Sequence, residues 1–286
     1  MRTLVATFLL CISSAGAVTL AYIDTADRVI YKPEGAPPRV VEAKNGYDLC
    51  LSRDGKRLLY ARGLPDGPNR VMVLYDAASG KSRDVMSGLV ASARWSPDNT
   101  RVSFLKMEKS AWQLWIMPAV EPSKATLVSK QNLDFVDWMP DSKTILAGDG
   151  QRLYWFGVDG KQQKSMPTEE LYGKDYQWTS SDVLRFQPGN AGRMSMSVYY
   201  METPKDVPFE EEGGFATVLI YDWNTRKKTA LLTTKIFGHD AVWTPDGAWL
   251  YYTRQEKLRK FAVWRMHPDG TAQERIVAGM QPSVAE

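Results

Sequence analysis

The stretch AVWTPDGAWLYYTR (Ala241–Arg254) joins two apolar, aromatic-rich runs through the tight-turn signal Thr244-Pro245-Asp246-Gly247. Proline presets φ for a turn, and Asp and Gly tolerate the conformations that follow. The same grammar recurs in LSRDGKRLLYAR from Leu51, WSPDNTRVSFLK from Trp95, WMPDSKTILAG from Trp138 and WTSSDVLRF from Trp178. The turn aspartates are Asp54, Asp98, Asp141, Asp182 and Asp246, at spacings of 44, 43, 41 and 64 residues. Three near-equal intervals and one longer by about twenty describe one repeat unit with a single insertion.

Each unit reads as four short strands. An alternating strand ends in Trp or Leu51. The turn follows, then a strand such as RLLYAR or RVSFLK, then a more aromatic one such as RVMVLYD or FAVWRMH. A polar turn and a last strand such as ERIVAG close the unit. Four strands per 40–45 residues with period-2 patterning predict a β-propeller blade. A sandwich would have no reason to repeat Trp95, Trp138, Trp178 and Trp243 at one point of a fixed period. Between radial blades that point is a sheet-to-sheet contact, where a large flat ring buries well.

Five turn motifs give five blades, about 46–88, 89–131, 132–168, 171–234 and 236–279. The segment before them holds three strands, Leu20–Asp24, Arg28–Lys32 and Pro38–Ala43, which fit the second to fourth strands of a further blade (18–45). The tail MQPSVAE aligns with the opening of a unit and supplies its missing innermost strand from residues 280–286. The expectation is an all-β, six-bladed β-propeller closed by pairing of the C-terminal strand with the N-terminal blade, which removes open edges.

These units resemble the propeller repeats of the TolB family, which are marked by W-[ST]-P-D-G followed by an apolar strand. The resemblance covers roughly residues 18–286 and implies the six-bladed ring. Arg53 stands where the motif has Pro, Asn99 and Ser142 stand where it has Gly, and the turn after Trp178 has no Pro. TolB also carries an N-terminal α/β domain for which this chain has no room, so the resemblance is to the propeller alone.

A Lys plus Arg count of 36 against 33 Asp plus Glu, in a chain of 286 residues, gives no reason to expect a nucleic-acid partner. MRTLVATFLLCISSAGA reads as a secretory signal peptide over 1–17. Arg2 opens it, Leu4–Ile12 is its apolar core, and cleavage is expected after Ala17. Periplasmic or secreted localisation follows, with no membrane span, since no segment reaches 18 apolar residues. Cleavage leaves Cys50 as the one cysteine. It reads as a small buried core residue, with no disulfide.

No chemical motif appears: no G-x-S-x-G elbow and no phosphate loop. With only His239 and His267, expected on opposite faces, a His-rich metal site is not anticipated. The turn aspartates read as turn formers. No catalytic residue, metal or cofactor is assigned. The loops between second and third strands share one face with the blade connections, and that face carries the sequence variety. The insertion at 187–215 holds Met194, Met196, Tyr199, Tyr200, Met201 and Phe209, then Glu210, Glu211 and Glu212. The segment RQEKLRK adds Arg254, Lys257, Arg259 and Lys260. Aromatic and Met-rich surfaces favour protein partners. The expectation is a monomeric, non-enzymatic interaction module, an envelope scaffold or an inhibitor or immunity-type protein, docking another protein through this face. The alternative is an enzyme or a sugar- or peptide-binding protein using the central funnel.

Overall fold

The computed structural model describes residues 18–286 apart from 66–67, 120, 174–182, 201–214, 234 and 286. The signal-peptide segment, Trp178, Asp182, Met201, Phe209 and Glu210–Glu212 lie outside the described residues. Six four-stranded antiparallel sheets form the blades of a propeller. Their innermost strands are Met280–Ala285, Gly46–Leu51, Val90–Trp95, Phe135–Trp138, Val183–Gln187 and Gly238–Trp243, in blades one to six.

Blade one combines both ends of the described chain. Met280–Ala285 pairs with Thr19–Ile23, followed outward by Val29–Lys32 and Arg39–Glu42. This pairing closes the ring. Blade one therefore has no turn between its first and second strands, which the other blades have.

The core lies between blades. Alternation sends neighbouring side chains of one strand to opposite sheet faces. Leu58 packs with Tyr31 and Val73 toward blade one, while Leu59 packs with Met72 and Phe104 toward blade three. Tyr251 and Tyr252 divide in the same way between blades one and five. The strand-closing tryptophans seal these seams: Trp95 Nε1 donates to the Cys50 carbonyl at 3.0 Å, Trp138 Nε1 to Arg94 at 3.1 Å and Trp243 Nε1 to Arg185 at 3.0 Å.

Asp54, Asp98, Asp141 and Asp246 cap their own hairpins. Asp98 Oδ1 accepts the Ser96 hydroxyl at 2.5 Å and the Thr100 N–H at 3.0 Å. Asp246 repeats this with Thr244 and Ala248.

Blade five corrects the sequence register. Its first strand is Val183–Gln187 and its second is Asn190–Tyr200. The repeat motif is therefore Phe186-Gln187-Pro188-Gly189, with Phe in place of Trp, rather than the segment after Trp178. From Asp141 to Gly189 is 48 residues, and from Gly189 to Asp246 is 57. The extra length is split between the connection into blade five, with a helical turn at Glu169–Tyr172, and the segment 201–214 between its second and third strands. Residues 190–200 are thus blade, not insertion. Met194 and Met196, expected at a docking surface, are 0% exposed in the core between blades four and five.

Candidate functional site: the central channel

The residue before the strand-closing position occupies one level of the channel in every blade: Ser283, Cys50, Arg94, Asp137, Arg185 and Val242. All six residues line the cavity that runs along the channel. Two residues earlier, four blades carry a bulge in the pairing of their first two strands. The bulged residues Asp48, Ser92, Asp240 and Gln281 have φ of 56°, 53°, 55° and 52°, and all four line the channel mouth. Left-handed backbone at a non-glycine residue costs of order 1 kcal/mol, and bulges re-aim side chains beside functional sites.

The mouth opens on the face of the blade connections. There a cavity of about 340 Å³ is walled by Tyr47, Asp48, Ser92, Tyr199, His239, Asp240, Val183, Gln281 and Pro282, with Arg94, Arg185 and Val242 at its floor. Beyond the arginines a narrower cavity of about 170 Å³ continues to the turn face, past Pro97, Pro140, Pro188 and Pro245.

Arg94 Nη1 binds Asp48 Oδ1 at 2.8 Å and the carbonyl of Ala93 at 2.7 Å, while its buried Nε has no hydrogen-bond partner among the described residues. Burial disfavours the Arg94 charge, but Asp48, with Cys50 and Asp137, outweighs burial and holds its pKa above the ordinary value. Arg185 Nη1 donates to the Leu184 carbonyl at 2.8 Å and makes no ion pair among the described residues. Burial, and then the like charge of Arg94, lower its pKa against the pull of Asp137. Burial pushes the Asp137 carboxyl up, although Arg185 and Arg94 oppose it, and its Oδ2 accepts the Phe186 N–H at 3.4 Å.

At the mouth, His239 Nδ1 lies 2.8 Å from Asp240 Oδ2. Burial opposes the Asp240 charge, but His239, with the two arginines, keeps this carboxyl below its usual range. The His239 ring stands among Phe237, Tyr199 and Phe261 at centroid distances of 5.5, 5.7 and 6.1 Å. His267 sits at the opposite face, against Trp249 at 4.1 Å. Cys50 packs against the core between blades two and three and also lines the channel, and burial raises its thiol pKa. Among the described residues no group of three or more His, Cys, Asp or Glu could hold a metal ion.

The remaining sequence-expected residues fall around this mouth or outward from it. Tyr199 is in its wall. Tyr200 ends the second strand of blade five. RQEKLRK is a tight hairpin rather than a loop, since strands run to Lys257 and resume at Lys260. Lys257, Arg259 and Lys260 are exposed there, around Leu258 at 58% exposure. Arg254 is half-buried over the Trp264 ring at 4.3 Å.

The channel charges were missed from sequence. The available signal was the residue preceding each strand-closing aromatic, and for Arg185 it needed the Phe186 register.

No family model and no curated protein matches the chain. Solved structures match it as a fold. TolB from Acinetobacter baumannii aligns at TM-score 0.66 and 15% identity over 94% of this chain, which spans 66% of that TolB's length. The putative TolB from Agrobacterium tumefaciens aligns at 0.59 and 14% identity, over 93% of this chain and 91% of that one. A nidogen/laminin complex structure aligns at 0.63 and 8% identity, over 94% and 98% of the respective chains. Enzymes share the architecture too: a prolyl endopeptidase aligns at 0.53 and 13% identity, over 92% of this chain and 50% of that one. The fold is thus a TolB-like six-bladed propeller, an architecture that hosts both binding proteins and enzymes. Among the described residues, no helix is long and apolar enough to cross a membrane.

Proposed function

We propose that this protein is a non-enzymatic docking module, acting in the periplasm or outside the cell, that engages another protein through the face around the channel mouth. One observation carries the reading: the two faces are built differently. The turn face is closed by repeated Ser/Thr–Asp caps that also bond to neighbouring blades. The opposite face sets side chains from five of the blades around an open cavity, four of them on left-handed backbone. Beside that cavity rises the Lys257–Lys260 hairpin, with exposed Leu258 at its tip among basic side chains. An apolar anchor ringed by charge suits a protein partner, the charges setting on-rate and choice of partner. Tyr199, Tyr200 and the segment carrying Met201, Phe209 and Glu210–Glu212 belong to the same proposed surface. Location outside the cytoplasm rests on the signal-like residues 1–17.

The test is capture of partners from envelope extract by the wild type, by a hairpin variant (Lys257→Glu, Leu258→Ala, Arg259→Glu) and by a deletion of residues 202–213. Loss of a captured protein with either folded variant is the expected result. Retention of every partner by both would remove this surface from consideration. A second reading, a small-ligand binder or an enzyme in the funnel, draws on the charged level of the channel. It requires binding or turnover without any protein partner.

A further inference from the structure

Arg185 is the group in the channel that the fold does not account for. It occupies the same repeat position as Arg94, and both side chains line the cavities above and below the charged level. Arg94 has Asp48 for a counter-ion at 2.8 Å. Arg185 has only the carbonyl of its own neighbour, Leu184, at 2.8 Å, and no ion pair among the described residues. Asp137, in the adjacent blade, spends Oδ2 on the Phe186 N–H. A guanidinium withdrawn from water without a partner costs several kcal/mol, so such groups are normally paired or extended to solvent. Here the charge is instead presented to an open cavity, beside the unpartnered Nε of Arg94. Two guanidinium groups with unused donors at one level of a channel form an incomplete anion site.

We infer that Arg185, with the charge of Arg94 beside it, binds a carboxylate that enters the channel from the mouth. A planar monoanion matches the fork of a guanidinium through two parallel hydrogen bonds. Phosphate could meet the same fork but has no carbon chain to lay against the apolar wall of the mouth. Val183, Val242 and Pro282 offer apolar wall to the carbon chain behind the carboxylate. The 340 Å³ of the mouth falls at the lower end of the volumes that hold small ligands, about 300–1,000 Å³. The carboxylate has two possible sources, an acidic side chain of a docked partner or a free small acid. Assigning it to a partner rests on the docking reading; the site itself does not.

The full chain is titrated calorimetrically with acetate, succinate and inorganic phosphate, and its melting is followed in each. Succinate should bind and raise the melting temperature. Arg185→Gln should weaken binding at least tenfold, Arg185→Lys should retain part of it, and Asp137→Asn should strengthen it several-fold by removing a like charge. A folded wild type that shows no succinate binding, a folded Arg185→Gln that binds as the wild type does, or phosphate bound more tightly than succinate would each overturn the inference. A capped Gly-Glu-Glu-Gly peptide and its Gln counterpart separate the sources. Tighter binding of the Glu peptide than of succinate supports a partner side chain, and the reverse overturns that source. Partner capture by the hairpin and deletion variants is read separately, so failure of docking is distinguishable from failure of the carboxylate site.

Discussion

Arg53 Nη2 of blade two reaches the carbonyl oxygen of Pro245 in blade six, 2.8 Å away, across the one blade that has no turn between its first two strands. The repeat motif has proline at position 53, and proline could not make this bond. The other departures from the motif act alike. Asn99 Oδ1, in place of glycine, accepts the backbone N–H of Arg53 at 2.7 Å, and Ser142 Oγ accepts that of Asp98 at 3.1 Å. Gln187 Nε2 donates to the Gly247 carbonyl at 3.1 Å. Residues that break the repeat are those that tie one blade's turn to another's.

Arg53→Ala should therefore lower the melting temperature, although Arg53 lies far from the blade cores. A charge-assisted hydrogen bond that is partly exposed contributes about 1–2 kcal/mol. For a chain of this length that is roughly 2–6 °C. Arg53→Pro, which restores the motif, also removes the N–H donated to Asn99 and should lose more. Thermal unfolding of both variants checks this. An alanine variant as stable as the wild type would show that the contact across blade one contributes nothing.

Deleting residues 280–286 should unfold the whole ring rather than one blade. The removed strand carries the fully buried Ala285, Ser283 Oγ, which accepts the Leu51 N–H at 2.8 Å, and Gln281 Oε1, which accepts the Asp48 N–H at 3.1 Å. Without them both blade one and blade two lose an edge. A gentler variant, Gly279→Ala, addresses the same seam. Gly279 has φ of 142°, and a Cβ there would collide with the Ile23 carbonyl oxygen. Loss of cooperative unfolding in the truncation, and a lowered melting point in Gly279→Ala, are expected by calorimetry.

The fold was legible because its signals are local and repeated: a turn every 40-odd residues, an aromatic before it, alternation on either side. Blade five was read out of register because Phe186 and Gly189 fill the Trp and Asp positions, while Trp178 and Asp182 imitate the motif just upstream. That slip turned Met194 and Met196 from core into supposed surface, as a shift of register does for any strand. The charged channel was illegible for a different reason. Arg94, Asp137 and Arg185 are 43 and 48 residues apart, and each looks like an ordinary strand charge until the ring brings them to one level.

The two kinds of blade-five and hairpin substitution should separate stability from docking. Met194→Ala removes a fully buried side chain from the core between blades four and five and should cost about 2–5 kcal/mol. Leu258→Ala, at 58% exposure, should leave the melting temperature within a degree or so while weakening partner capture. Equal stability of the two variants would contradict the blade-five register.

The pH dependence of stability should carry two opposite signatures. At Asp98, burial raises the carboxyl pKa, but bonds from the Ser96 hydroxyl and from Thr100 outweigh it, leaving the pKa below the ordinary 3.8. The folded state then holds the proton less tightly than the unfolded chain. Its stabilisation is complete above the unfolded value and is lost as pH falls through the lower folded one. Asp98→Asn should cost roughly 1 kcal/mol at neutral pH, and its curve should converge on the wild type in acid. At Asp137 burial wins over Arg185 and Arg94, and the pKa is raised. The folded state keeps a proton that the unfolded chain releases, so the cost to stability begins as pH rises past about 4. It is complete above the raised folded value. Asp137→Asn, whose amide oxygen can still accept the Phe186 N–H, should melt above the wild type at neutral pH and meet it below pH about 4. Melting temperatures of the three proteins between pH 3 and 8 decide the matter. Curves running parallel throughout would mean that neither carboxyl is perturbed by the environment described.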